Sequence, residues 1–292
     1  MKRRLVLGLC FTTFISSVVT PQALAQAPLT AYQGGQFYTR AYGSDRAASC
    51  TISYNDAAKR VSYTAAHCGK AGDTVFLRDY RGVNVAAGTF SPSSAFAGHQ
   101  TNDWGVIRWD PHVVLGANTF SGDTVVHPSQ LRKGDRVCVR GVTAHGPASP
   151  TASTTVNCAP FLGSINNTFF FEDAGTKPGD SGGVVFAPGR GYLGVLSGVS
   201  ELTSPGRAST VIQRGAFPAN GAAISKNEML RWANANLPMP VEKVNTVPVV
   251  PPADANASAS SAQGIGAIIA ALVAFLAVAL PFAQQVMGML RV

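Results

Sequence analysis

Between Gln26 and about Phe217 apolar and polar residues alternate in short runs, broken repeatedly by glycine, proline, asparagine and aspartate. Val61-Ser62-Tyr63, Thr74-Val75-Phe76-Leu77, Trp104-Gly105-Val106-Ile107, Val137-Cys138-Val139 and Tyr192-Leu193-Gly194-Val195-Leu196 read as strands, and nothing in this stretch reads as helical. The pattern changes at Ser225-Lys226-Asn227-Glu228, whose Ser-x-x-Glu spacing is that of a capping box. Met229, Leu230, Trp232 and Ala233 follow, so a helix is predicted over about 225–237, ending at Leu237-Pro238. The expectation is an all-β body closed by one helix.

Two flanking stretches have a different character. Lys2-Arg3-Arg4, the apolar run from Leu5 to Ile15 and Ala23-Leu24-Ala25 read as a signal peptide over residues 1–25, which predicts export. A lipid anchor on Cys10 is the weaker alternative, because Leu9 is bulky where such a signal needs a small residue. Residues 238–263 are rich in proline, valine, alanine and serine and read as a linker. Beyond Asp254 no charge appears until Arg291, and Ile265–Phe282 is apolar throughout. At 1.5 Å per residue it spans about 27 Å, which predicts a transmembrane helix within 264–290 that holds the body outside the cell.

Charge and cysteines narrow the function classes. The formal charge is +8 from 23 basic and 15 acidic residues, and Lys2, Arg3 and Arg4 leave with the signal. The remaining cations are scattered with no basic run or aromatic interleaving, so no nucleic-acid partner is expected. Cleavage discards Cys10, and the even set Cys50, Cys68, Cys138 and Cys158 in an exported chain argues for two disulfides, with three pairings open. No close Cys-x-x-Cys spacing is present, which argues against a zinc site, and no metal or other cofactor is expected.

The chemistry lies in three places. Gly179-Asp180-Ser181-Gly182-Gly183 sets a serine among glycines, Thr64-Ala65-Ala66-His67-Cys68 sets a histidine beside a cysteine, and Asn102-Asp103-Trp104 leads an acid into an apolar run. A serine hydroxyl needs a base to become a nucleophile at neutral pH, and imidazole is suited to that task. His99, His112, His127, His145, Asp110, Asp123 and Asp135 lack such context and are expected in turns or at the surface.

In the order His67, Asp103, Ser181 these motifs resemble the trypsin-like or chymotrypsin-like serine proteases, closest in pattern to secreted bacterial members of the α-lytic protease or streptogrisin type. The resemblance implies two packed antiparallel six-stranded β-barrels, about 30–118 and 119–224, within a protease domain over 26–237. It implies a catalytic triad of His67, Asp103 and Ser181, and an oxyanion hole from the main-chain amides of Gly179 and Ser181. It pairs Cys50 with Cys68 and Cys138 with Cys158. Asp180 takes the place of the acid held in a structural ion pair. Since no Ile-Val start precedes Gly34-Gly35, Arg140 is the expected cation. The specificity pocket falls on Gly175, Ser197, Gly198 and Val199, with Ser197 offering its carbonyl to the substrate strand and Val199 narrowing the entrance; Glu172, Asp173 and Glu201 are the acids able to reach it by another loop path.

The implied activity is serine endopeptidase cleavage of proteins or peptides by a monomeric enzyme, with small or medium apolar side chains preferred before the cleaved bond. The competing readings are a catalytically silent relative serving as an envelope binding or adhesion module, and a purely structural surface protein.

Overall fold

The computed structural model describes residues 28–40, 47–98 and 101–248. The expected signal peptide, His99 and the apolar stretch Ile265–Phe282 lie outside the described residues. Among the described residues no helix is long and apolar enough to cross a membrane.

The first half comprises β1 (Thr30–Ala31), β2 (Gln36–Arg40), β3 (Ala47–Thr51), β4 (Tyr54–Asp56), β5 (Val61–Thr64), β6 (Thr74–Arg78), β7 (Asn84–Pro92), β8 (Gly105–Trp109) and β9 (Val114–Leu115). Seven of these form one sheet in the order β3-β2-β6-β7-β8-β5-β4, and β1 pairs in parallel with β9. Side-chain alternation sorts the faces: Phe37 and Thr39 of β2 and Val75 and Leu77 of β6 are buried, while Arg40 and Arg78 stand in solvent. Phe90, Ile107 and Trp109 complete the same core.

The second half comprises β10 (Arg136–Arg140), α1 (Val142–His145), β11 (Asn157–Ile165), β12 (Thr168–Glu172), β13 (Val184–Ala187), β14 (Gly191–Thr203), β15 (Thr210–Ala216), α2 (Lys226–Asn236) and β16 (Lys243–Pro248). The order β13-β10-β11-β12-β15-β14 closes on itself, because β13 also pairs with β14. Phe169 and Phe171 fill this barrel, and Phe170, between them, turns outward onto Trp232 of α2 with 4.2 Å between ring centroids. Both faces of β12 are thus covered, which explains an unbroken apolar run where a half-buried strand would alternate. The capping box forms as predicted, with Ser225 Oγ accepting from the Glu228 amide and Glu228 Oε2 accepting from the Ser225 amide.

Three expectations are corrected. Only the second sheet closes as a six-stranded barrel; the first is a half-barrel in which no ladder joins the edge strands β3 and β4. Those edges are successive pieces of one bent run, where Ile52 N–H donates to Gly35 O and Ser53 N–H donates to Tyr63 O on the other side. A one-turn helix, α1, appears where none was expected, because the groups that cap it come from a distant loop. The stretch from Pro238 does not begin as a free linker, since β16 extends the second sheet along β14. Asn234 fastens the approach to β16 by bonding both the amide and the carbonyl of Val241, which is buried.

Candidate active site

His67 sits on the short 3-10 turn Ala66–Cys68 after β5, and the Cys50–Cys68 disulfide ties that turn to β3. Asp103 precedes β8. Its neighbour Asn102 adopts φ +52° and exchanges two hydrogen bonds with Gly221, donating to the carbonyl at 2.9 Å and accepting from the amide at 2.8 Å. Trp104 Nε1 donates to Ala219 O at 3.1 Å, so the acid's loop is fixed against the segment after β15. Ser181 lies in the turn before β13, and its carbonyl accepts from the Thr51 amide of β3. The two halves of the molecule therefore meet at these three side chains.

His67 Nε2 stands 2.8 Å from Ser181 Oγ, and His67 Nδ1 stands 2.8 Å from Asp103 Oδ2. The His67 amide donates to Asp103 Oδ1 at 3.0 Å. Burial alone raises the Asp103 carboxyl, but the charge and hydrogen bond of His67, the hydroxyl of Ser197 and the charge of Arg214 outweigh it and hold the group below the usual carboxylate range. In such a relay a carboxylate fixes the imidazole so that its far nitrogen faces the hydroxyl whose proton it takes.

A family model described as Trypsin matches residues 31–216. The chain belongs to the trypsin family. As a member of this family of serine proteases it is a hydrolase. Protease A from Thermobifida fusca is 19% identical, over 75% of this chain and 99% of that one, with a TM-score of 0.38. Neuropsin, from mouse brain, is 16% identical over 63% and 89% with a TM-score of 0.39. The secreted serine protease VesC from Vibrio cholerae is 17% identical over 64% and 44% with a TM-score of 0.36. No curated protein sequence matches the chain.

The trypsin-family chain departs from the expected Asp180–Arg140 ion pair. Asp180 is buried, but Oδ1 accepts from the amides of Thr143 and Ala144 at 2.7 and 3.0 Å, and Oδ2 accepts from the Lys177 amide at 2.7 Å. It thereby caps α1 from 36 residues away in sequence. Gly141 makes this possible, because a β-carbon there would stand 2.4 Å from the carboxyl carbon. The Arg140 side chain leaves in another direction. Its guanidinium stacks 4.8 Å over Phe120 and donates to the carbonyls of Thr155 and Gly146, so burial lowers its basicity without a carboxylate to oppose it.

Gly179 has φ +98° and would carry a β-carbon only 2.3 Å from Thr143 Oγ1, which leaves glycine as the residue that fits. Its carbonyl accepts from Thr51 Oγ1. The expected pocket segments converge on a residue that the strand pattern did not single out, Gln213. Gln213 is fully buried; it accepts from Thr176 Oγ1 at 2.8 Å and donates to Asp173 Oδ1 at 2.7 Å, the oxygen that also accepts from the Gly175 amide. Across the ladder Gln213 faces Val199. Asp173 is thus committed to Gln213 and Gly175, and Glu201 lies farther along β14, opposite Val211 and Asn245.

Ser197 does more than its expected carbonyl role, since its hydroxyl donates to Asp103 Oδ2 at 2.6 Å. Behind it Arg214, fully buried, donates from Nε to Ser197 Oγ at 3.3 Å and from Nη1 to Val199 O and Ser200 Oγ. Burial pushes this guanidinium down to about 10, opposed by the Asp103 charge, so it is a cation at neutral pH. The signal for both missed residues was present, because Gln213-Arg214 interrupts an otherwise apolar strand and buried polar side chains require partners. Among the described residues no group of three His, Cys, Asp or Glu side chains is placed to hold a metal.

Proposed function

We propose that the protein is a serine endopeptidase that cleaves peptide bonds through an acyl-enzyme, with Ser181 as nucleophile, His67 as base and Asp103 as its orienting acid. The observation that carries this reading is the unbroken chain of contacts of 2.8 Å from Asp103 through His67 to Ser181. Ser181 Oγ attacks the scissile carbonyl as its proton passes to His67 Nε2. The developing oxyanion is met by the amides of Gly179 and Ser181, each such donor being worth about 2.7–4 kcal/mol of transition-state stabilisation. His67 then protonates the leaving amine, and water repeats the sequence to free the acyl product.

The pocket reading follows from charge. Thr176 and Gln213 are neutral, Asp173 is engaged by Gln213 and Gly175, and Val199, opposite Gln213 in the ladder, is the residue this reading puts at the rim. An uncharged side chain of small or medium size before the cleaved bond suits that lining. A positional-scanning peptide library checks it, and strong selection of Arg or Lys refutes it.

Two disulfides support an extracellular body. The apolar stretch within 264–290 supports retention at the membrane, with residues 1–25 serving export. Fluorophosphonate labelling separates the enzyme from a catalytically silent binding module: labelling of the full chain that disappears in Ser181→Ala is the expected result, and a folded chain that never reacts overturns the assignment.

A further inference from the structure

Strand β16 lies on the sheet edge where the protease reading places a substrate. It pairs antiparallel with β14 in the register Gly198 to Pro248, Val199 to Val247 and Ser200 to Thr246, continuing to Thr203 with Lys243. The resemblance gives the Ser197 carbonyl to the substrate strand, and Gly198 and Val199, pocket residues in that reading, follow it directly on β14. A strand edge offers one row of donors and acceptors, so two peptides cannot occupy it together.

Polarity agrees as well. As β16 advances toward Pro248 its partners run back from Thr203 to Gly198, the neighbour of Ser197, whose hydroxyl reaches Asp103. A peptide that presents a carbonyl to Ser181 approaches with its C-terminal end beside the triad, and β16 points that way. Pro248 has no N–H, and in an antiparallel ladder alternate residues turn that group away from the partner strand. Its place opposite Gly198 therefore lacks the N–H that another residue would bring to the ladder.

The strand is held in place by contacts at its start. Glu242 N–H donates to Thr203 O at 2.9 Å, Ser204 Oγ donates to Pro240 O at 2.6 Å, and Val244 packs against the cluster around Trp232.

We propose that β16 is an intramolecular competitor for substrate: it occupies the edge of β14 in the polarity of a substrate, and an extended peptide gains the site only by displacing it. The inference rests on the protease reading and adds a regulation to the same site. A tethered strand competes at an effective concentration on the order of millimolar, so it raises the apparent KM for extended peptides and leaves kcat alone.

The test compares the full chain with two variants, Val247→Pro, which puts a ring into the strand opposite Val199, and the double variant Thr246→Gly with Val247→Gly, which loosens the strand without a ring. Hydrolysis of a tetrapeptide anilide ending in valine is measured beside fluorophosphonate labelling of Ser181. The expected result is a KM about tenfold lower in both variants, with kcat within about twofold and complete labelling in all three proteins. Equal KM values in three fully labelled proteins overturn the competitor and leave the protease reading standing. Absence of labelling in all three overturns both.

Discussion

Asp103 and Asp180 are both buried, at 1% and 0% exposure, yet their partners differ in kind. Asp103 is surrounded by side chains that carry or relay charge: the imidazole of His67, the hydroxyl of Ser197 and, behind it, the guanidinium of Arg214. Asp180 meets only main-chain amides, those of Thr143, Ala144 and Lys177. A carboxylate that must answer to a proton moving on a neighbouring ring is held ionised by a charged group and a side-chain donor beside that ring. One that only holds a loop in shape is best served by donors that the fold fixes and pH does not alter. On the proposed function, the contrast separates a reacting charge from a structural one within a single cleft.

The contrast is broken most severely at Asp103. Asp103→Asn keeps the shape but removes the charge and one acceptor, and kcat/KM falls by about four orders of magnitude, the loss characteristic of this constellation. Stability responds differently. Because the Asp103 carboxyl is held below its ordinary range, its share of stability is present above that range and is lost as pH falls through the lower folded-state value. Asp103→Asn therefore flattens the acid side of the unfolding profile, and denaturant titrations at several pH values check this; an unchanged acid side contradicts it.

Asp180→Ala has the opposite signature. Three part-buried amides lose a charged acceptor, at about 1 kcal/mol each, so stability falls by about 3 kcal/mol. The same change releases the turn whose Gly179 and Ser181 amides are proposed to meet the oxyanion, so kcat is expected to fall with it. Asp180→Asn retains one acceptor oxygen and is expected to lie between the two. Urea unfolding beside steady-state rates decides the matter: Asp180→Ala with parental stability removes the distinction between the two acids.

The reacting half of this contrast is much more legible in the sequence than the supporting half. His67, Asp103 and Ser181 each sit in a local motif whose residue types are dictated by chemistry, and the disulfide beside His67 follows the same resemblance. The strands with alternating burial, such as β2 and β6, are visible because one face meets the core and the other meets water. The partners of Asp180 are amides, which every residue carries, so no residue type marks them; Arg140 attracted attention by its charge and bonds elsewhere. β16 hides in a proline-rich stretch because its pairing is decided by an edge roughly 45 residues upstream in the chain. The half-barrel is hidden for a related reason, since closure depends on which distant strands find each other.

Arg214 sharpens the comparison by the smallest effect. It touches neither the nucleophile nor the base; it is a positioning residue that acts through Ser197 and through its charge on Asp103. Arg214→Met removes a buried cation from beyond the acid, and the balance around the relay becomes more negative. A proton then binds the base of the relay more readily, so the acid limb of the kcat/KM profile moves to higher pH by about half a unit to one unit. Arg214→Lys restores the charge without the fork of donors, so it recovers most of that limb while Ser197 is held less firmly. A residue that merely fills space gives a lower rate at every pH with the limb unmoved, and that outcome, in a folded Arg214→Met protein, removes Arg214 from the charged set around Asp103. The same variant leaves Asp180 and its amides intact, so its unfolding midpoint falls less than that of Asp180→Ala.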